Sequence, residues 1–169
     1  MSTSGLRSTS PARFVCGVDN RFPYFYLSES EPVSIPLASG WGGLVEVRSG
    51  RLQMRMPSST RAATVFVEVH EEEPVGAADD YEDVVEVGYR SPTGNPAVLD
   101  WSKALVDPLK PLPCGPGDYR VRYHVRSTKP GQLVEFWPAK PKEPEEVKVT
   151  GALGNFWHPG GRLRRALSS

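Results

Sequence analysis

The chain has 169 residues, 38% of them apolar, and a formal net charge of zero. This length and apolar content fit a single domain with a core of its own. Zero net charge provides no overall field that would draw the protein to nucleic acid or to a membrane surface, so neither is expected as a direct partner.

Cysteine usage and the first residues predict a cytoplasmic protein. Cys16 and Cys114 lack the C-x-x-C spacing of zinc and redox sites, so two reduced thiols are expected, with a single disulfide as the alternative. No run approaches the roughly 20 apolar residues of a membrane helix, and the opening MSTSGLRSTSPAR has no apolar segment of a secretion signal.

In chain order, residues 1–12 are predicted to be disordered, because nothing apolar there offsets the cost of ordering them. Short runs rich in Val, Phe and Tyr then alternate with turns rich in Gly and Pro, which is typical of strands. The expected strands cover residues 14–18, 23–28, 41–49, 51–56, 63–70, 82–90, 97–101, 118–126 and 132–137. Helical periodicity is weak, and only residues 101–106 could form a helical turn, which Pro108 would end.

The spacing of these strands predicts an all-β fold. Turn sequences at 49–50, 92–95 and 130–131 resemble hairpin connections, and no helical stretch of 10–15 residues separates the strands. We therefore expect an antiparallel β-sandwich or a flattened barrel over residues 13–139. The proline-rich residues 140–169 are expected to form an extended connector and tail, in which Phe156 and Trp157 could dock back on the domain.

The stretch GDYRVRYHVR, residues 117–126, alternates apolar and basic side chains and predicts a strand with one buried and one exposed face. Four other strands place a glutamate between apolar neighbours: Glu46, Glu68, Glu86 and Glu135. A hairpin at residues 130–131 would set Arg126 opposite Glu135, and a register shift by two would keep the same faces. Exposed pairs of this kind contribute only about 0–1 kcal/mol each. The favoured interpretation is a solvated face; the alternative is anion or partner binding through Arg120, Arg122 and Arg126.

A dense run of carboxylates without any basic residue follows His70. Its members are Glu71, Glu72, Glu73, Asp79, Asp80, Glu82 and Asp83. The simpler interpretation is a solvated connection between two strands, and the functional one is an acidic lobe presented to a basic partner. Calcium is disfavoured because the run lacks the D-x-D-x-D-G order of the twelve-residue calcium loop.

Catalytic and metal-binding patterns are not found in the sequence. His70, His124 and His158 lie on separate segments without H-x-H or H-E-x-x-H spacing, so a metal site would require long-range convergence. Cys114, between two turn residues, is read as a turn residue rather than a nucleophile. We therefore expect no enzyme activity, no cofactor and no metal.

Five stretches carry a resemblance to known proteins: WGGLVEVRSGRLQMRM, VFVEVHEEEP, DYEDVVEVGYRSPTG, PLPCGPGDYRVRYHVR and LVEFWPAKP. Over about residues 40–140 they resemble a group of small bacterial β-rich proteins with an acidic E-P turn, a D-V-V-E strand, a P-G-x-Y-R-V-R strand and a closing W-P-A. That group is in turn similar to the competence protein J family, through the Gly-x-Tyr strand opening and the strand order. The resemblance implies binding and inhibition of a nuclease.

These observations lead to two binding hypotheses, with an enzyme as a third alternative. The first is a non-catalytic protein-binding module, an inhibitor or immunity-type factor for a toxin or nuclease, and its expected partner is a basic protein. Its candidate contacts are the seven carboxylates of the acidic run together with Arg120, Arg122 and Trp137. The second is a small-molecule or glycan-binding sandwich with Trp41, Trp101 and Trp137 around a cleft, although such tryptophans more often pack in a core.

Overall fold

The structure is a computed structural model that describes residues 10–29, 43–57, 62–76 and 79–158. Its strands are β1 (Ala12–Val18), β2 (Tyr24–Ser28), β3 (Val45–Arg48), β4 (Arg51–Arg55), β5 (Ala63–Val69), β6 (Asp83–Ser91), β7 (Ala97–Leu99), β8 (Leu105–Pro108), β9 (Gly117–Val125), β10 (Gln132–Pro138) and β11 (Glu145–Val149). A short helix, α1 (Ala152–Trp157), follows them. Within the described ranges no helix is long and apolar enough to cross a membrane.

The strands form two sheets, and the predicted all-β sandwich is confirmed. Sheet A has six strands in the order β1-β5-β10-β9-β6-β11, and sheet B has five in the order β3-β4-β2-β7-β8. Neither sheet closes into a barrel. All pairs are antiparallel except β10 with β5, which run parallel. Parallel strands need a long crossover, and here β6 to β9 lie between the two in sequence.

The apolar parity of the strands places one face of each sheet in a shared core. In β9, Tyr119, Val121, Tyr123 and Val125 are buried, as the alternation predicted. The rings of Phe25 in sheet B and Tyr123 in sheet A meet edge to face at 6.1 Å. The buried hydroxyl of Tyr123 donates to the carbonyl of Arg55 at 2.6 Å, which satisfies a polar group inside the core.

The register of the β9–β10 hairpin differs from the expected one. Arg122, not Arg126, lies opposite Glu135, and His124 lies opposite Leu133. The shift is even, so the predicted faces are kept. The cause is a longer connection: the Gln132 side chain accepts from the Arg126 N–H at 2.8 Å and donates to its carbonyl at 3.0 Å, so the ladder ends before the loop.

A hairpin replaces the helical turn expected at residues 101–106. The Asp100 carboxylate accepts the backbone N–H groups of Ser102, at 2.8 Å, and Ala104, at 3.2 Å. This aspartate-centred turn lets β8 return along β7. The expectation of a helix here is wrong because local side-chain hydrogen bonding favours the turn.

The C-terminal stretch also differs from the expected extended connector. β11 pairs with β6 and adds a sixth strand to sheet A. Asp83 on β6 is fully buried, and its carboxylate accepts the N–H groups of Thr150, Gly151 and Gly154 at 2.9–3.0 Å. A Cβ at Gly154 would lie 2.2 Å from Asp83 Oδ1, so this approach requires glycine. Asp83 therefore fixes the start of α1 to the sheet.

The two aromatic residues expected to dock in this stretch behave differently. Phe156 is largely exposed, whereas Trp157 is partly covered by the Arg55 guanidinium, 3.9 Å from its ring centroid. The predicted disorder of residues 1–12 falls mostly on 1–9, outside the described residues, and Ala12 already belongs to β1.

Candidate functional site

The outer face of sheet A carries a row of charged residues that crosses five strands. Cross-strand register makes neighbours of Arg13, Glu68, Glu135, Arg122 and Glu86, on β1, β5, β10, β9 and β6 in turn. Opposite charges adjoin along this row except between Glu68 and Glu135, where parallel pairing sets two carboxylates side by side. The strand alternation therefore produces a charged face, as expected from the sequence.

The part of that face on β6 and β9 is not solvated, however, and the expected exposure of Arg120 and Arg122 is wrong, whereas Arg13 on β1 is exposed. Arg120 and Arg122 are only 2% and 4% exposed, and Glu86 between them is 8% exposed. Glu86 accepts from Nε of Arg120 at 3.1 Å and from Nε of Arg122 at 3.0 Å, one arginine on each carboxylate oxygen. The three side chains form a buried triad whose charges are paired by hydrogen bonds.

Two chain segments cover this triad, and the arginines hold both in place. Nη1 of Arg122 donates to the carbonyl of Gly76 at 3.1 Å, within the acidic run. Nη1 of Arg120 donates to the carbonyl of Lys142 at 2.9 Å, in the stretch before β11. The guanidinium fork binds a carboxylate with one edge and a carbonyl with another, which a point-charge ammonium cannot do.

Trp137 belongs to the same covered layer. It is 3% exposed and lies under the Arg122 guanidinium, 4.9 Å from ring centroid to Cζ. Arg126 covers the Tyr81 ring in the same manner at 4.6 Å and pairs with Asp80. The expectation that Arg120, Arg122 and Trp137 form a free surface is therefore wrong, because the acidic run and the stretch before β11 lie over them.

The acidic run divides into an exposed part and an anchored part. Glu71, Glu72, Glu73, Asp79 and Asp80 are exposed. Glu82 is half-buried and accepts from the Ser127 hydroxyl at 2.9 Å, and Asp83 is the buried residue that fixes α1. The prediction that Asp83 belongs to a contact surface is therefore wrong, because its side chain is buried.

Beside the run, four side chains form what we call the histidine–carboxylate cluster: Glu68, His70, His124 and Glu135. His70 Nε2 lies 3.2 Å from Glu68 Oε2 and 3.3 Å from Glu135 Oε2. His124 Nε2 lies 3.2 Å from the other oxygen of Glu135. The long-range convergence that the sequence alone could not reveal therefore occurs for two of the three histidines.

Burial shifts the titration of two members of this cluster. Desolvation raises the pKa of Glu135 to about 7, an effect that the Arg122 charge opposes and the Glu68 charge reinforces. Desolvation also lowers the pKa of His124 to about 4. At neutral pH His124 is therefore neutral. Its Nδ1 lies 3.4 Å from the Leu133 carbonyl, and Nε2 has no hydrogen-bond partner.

Sequence reasoning missed this cluster for an identifiable reason. In FVEVH, Glu68 and His70 are two residues apart and so share a face, which the sequence does show. The approach of Glu135 depends on the parallel β5–β10 pairing, which no local pattern indicates.

Among the described members of the predicted aromatic cleft, Trp101 and Trp137 do not come together. Trp101 follows β7 in sheet B and contacts Phe22 at 4.7 Å between ring centroids, while Trp137 is buried on sheet A. Trp41 lies outside the described residues. A cavity of about 300 Å³ opens beside the β9–β10 loop, and none of the three described tryptophans lines it.

The cysteines do not form a reactive pair. Both are free thiols; Cys16 is buried and Cys114 is exposed. Burial, together with the nearby Asp107 carboxylate, raises the pKa of Cys16 to about 11, which keeps it a thiol.

Comparisons with known proteins identify a shared fold. No protein-family model matches the chain, and no curated protein matches it in sequence. Among solved structures, the chain is similar to "ComJ, inhibitor of the DNA degrading activity of NucA, from Bacillus subtilis", with a TM-score of 0.54 and 13% identity over 77% of this chain and 97% of that one. A second structure, "Crocagin biosynthetic gene J", matches with a TM-score of 0.43 and 11% identity over 78% of this chain and 97% of that one. The expected likeness to the competence protein J family is thus confirmed for the fold, while the shared motifs stay a prediction.

Proposed function

We propose that the chain is a non-catalytic protein-binding module that inhibits a nuclease or toxin by presenting its acidic run to a basic partner. The observation that carries this proposal is that Arg122, a member of the buried triad, anchors the exposed acidic run to sheet A. The solved structure with the similar fold is described as an inhibitor of a DNA-degrading activity, which supports the same class of function.

The anchoring matters because it fixes the exposed carboxylates before any partner arrives. Arg122 holds the segment at Gly76 and Arg126 holds it at Asp80, while Glu71 and Glu72 remain exposed. A surface that is already ordered loses less conformational entropy on binding than a mobile loop does. Fully exposed Val75 adds an apolar contact in the middle of the segment.

A nuclease is a suitable partner class on electrostatic grounds. Proteins that bind polyanionic DNA present basic surfaces to its phosphates. Clustered carboxylates attract such surfaces over about 8 Å at physiological salt and speed association. Under this proposal Arg120, Arg122 and Trp137 support the acidic run from beneath and do not contact the partner.

The direct test measures DNA degradation by purified NucA from Bacillus subtilis with increasing amounts of the chain. We expect stoichiometric inhibition that weakens as salt rises to about 0.5 M, because screening shortens the attraction. Affinity capture from cells that naturally contain the protein, with the captured nuclease then used in the same assay, extends the test to its own partner.

A matched pair of variants locates the surface. Glu71→Gln with Glu72→Gln should slow association at least about tenfold while leaving the unfolding midpoint unchanged. Glu143→Gln with Glu145→Gln removes the same charge from exposed positions outside the run and should leave association unchanged. Equal affinity of both double variants, or no salt dependence, would refute the acidic-run model.

A further inference from the structure

We propose that the histidine–carboxylate cluster is a binding site for one first-row divalent cation, with Zn²⁺ as the best match, through Glu68, His70 and Glu135. This inference goes beyond the proposed function, because it concerns the chain without a partner. It rests on four observations, which concern geometry, rigidity, an unpartnered buried nitrogen and donor chemistry.

The distances among the donor atoms already suit a metal ion. One oxygen from each carboxylate and one His70 ring nitrogen all lie within 4.8 Å of one another. His70 Nε2 is 3.2 Å from the Glu68 oxygen and 3.3 Å from the Glu135 oxygen. Tetrahedral Zn²⁺ with bonds of roughly 2.0–2.1 Å separates its ligands by about 3.3 Å. Both separations from the imidazole nitrogen therefore match a bound ion, and the two carboxylate oxygens lie within 4.8 Å of each other.

The backbone holds these donors on rigid elements. Glu68 and Glu135 are direct neighbours in the parallel β5–β10 ladder. His70 follows the end of β5, and its N–H donates to the Phe136 carbonyl at 2.8 Å. Sites built on strands keep their donors in place better than loop sites do.

His124 adds a buried ring nitrogen without a hydrogen-bond partner to the cluster. Its side chain is fully buried, and its Nε2 has no hydrogen-bond partner although it lies 3.2 Å from Glu135 Oε1. If Nδ1 carries the proton towards the Leu133 carbonyl, the lone pair of Nε2 faces a carboxylate oxygen. Two such acceptors repel unless a proton or a metal ion compensates them. A dication in the cluster supplies that positive charge, and His124 offers it a further nitrogen donor.

Charge and donor type select the metal class. Two carboxylates and imidazole, without thiolate, favour Zn²⁺ and its first-row neighbours over Ca²⁺ and Mg²⁺, which prefer oxygen ligands alone. Side-chain exposures of 17% for Glu68 and 16% for His70 leave a route from solvent and space for a water ligand. Arg122 is 3.7 Å from Glu135 and Arg13 is 3.6 Å from Glu68, so a bound ion would rearrange existing ion pairs.

The test is calorimetric titration of Zn²⁺ into the metal-free chain carrying Cys114→Ser, which removes the exposed thiol as a competing ligand. We expect one ion per chain, at least about tenfold weaker binding after Glu68→Gln or His70→Asn, and much weaker binding of Mg²⁺ and Ca²⁺. Glu146→Gln is the matched control. Glu146 is 20% exposed and lies 3.0 Å from the ring of His158, so it changes an equivalent carboxylate–imidazole pair outside the cluster. It should leave Zn²⁺ binding unchanged.

Co²⁺ gives a second measurement that requires no cluster variant. Visible absorption of the Co²⁺-loaded Cys114→Ser chain should show nitrogen and oxygen ligation, and His70 should account for a shifted imidazole signal in the NMR spectrum. A dissociation constant for Zn²⁺ weaker than about 100 µM would overturn the proposal and leave a proton as the compensating charge. Unchanged affinity in both cluster variants, or equal loss in Glu146→Gln, would also overturn it.

Discussion

Replacement of Arg122 by alanine should release the acidic run from sheet A and strongly destabilise the domain. Arg122 is 4% exposed, and its Nε is bonded to Glu86 at 3.0 Å while Nη1 is bonded to the Gly76 carbonyl at 3.1 Å. Its guanidinium also lies 3.7 Å from Glu135 and over the Trp137 ring. No other described side chain offers positive charge to Glu86 except Arg120.

The magnitude follows from the two carboxylates left behind. Breaking a buried ion pair by removing one partner costs about 3–5 kcal/mol, and the lower value is expected here because Glu86 keeps the Arg120 guanidinium at 3.1 Å. A domain of this kind has only about 5–15 kcal/mol of stability, so the loss is a large share. Arg122→Lys keeps the charge but not the fork that reaches Glu86 and the carbonyl together, so about 1–3 kcal/mol is expected.

Urea denaturation followed by circular dichroism measures both variants, and limited proteolysis near residues 74–76 reports release of the acidic run. Arg90→Ala is the control: its pair with Asp118 spans 3.1 Å, but the side chains are 62% and 36% exposed. That variant should change stability by no more than about 0.5 kcal/mol. Similar urea midpoints for Arg122→Ala and Arg90→Ala would refute the view that the buried triad of Arg120, Glu86 and Arg122 stabilises the fold.

Three further predictions concern other parts of the domain. Val121 is fully buried, so Val121→Asp should cost several kcal/mol and abolish the cooperative thermal transition, whereas an unchanged melting temperature would contradict its place in the core. Burial acts to raise the pKa of Glu29, but hydrogen bonds from Tyr89, Thr93 and Ser91 outweigh it and lower that pKa below its usual value. A lowered folded-state pKa gives stability that is present above the unfolded pKa of about 4.3 and lost as pH falls through the folded pKa. Glu29→Gln should therefore be less stable than the native chain at pH 7, with a deficit that narrows in acid, and a deficit independent of pH in urea titrations would contradict this account. Asp83→Ala leaves the N–H groups of Gly151 and Gly154 without their acceptor, while Thr150 keeps the Glu82 carbonyl at 3.1 Å, and should cost about 2–4 kcal/mol. Protease cleavage between residues 139 and 158 should be faster, and an unchanged cleavage rate would show that β11 holds this stretch without Asp83.

The position of β9 in the core follows from its sequence. Tyr119, Val121, Tyr123 and Val125 alternate with polar residues, and successive side chains of a strand point to opposite faces, so the buried set is decided locally. The same rule assigns Glu68, Glu86 and Glu135 to the opposite face correctly.

The tertiary structure decides whether that opposite face is exposed to solvent. Arg120 and Arg122 look like solvated side chains in the sequence, because the segments that cover them lie at residues 74–76 and 142–143. Local alternation contains no information about a chain that crosses the sheet from dozens of residues away. The same limit explains why the sequence predicts a connector where the structure has β11, since the proline-rich approach to this strand resembles a linker.

The candidate sites divide in the same way. The acidic run is visible in the sequence because its charge is a property of consecutive residues, and its exposure at Glu71–Glu73 needs only the polarity of a loop. The histidine–carboxylate cluster required the structure. Glu68 and Glu135 become neighbours only through a parallel pairing between strands that are far apart in the chain, and His124 joins them through the register of β9 with β10. Long-range pairing is set by the packing of the whole sheet, so the sequence by itself specified which side chains share a face, and the fold decided which of them meet.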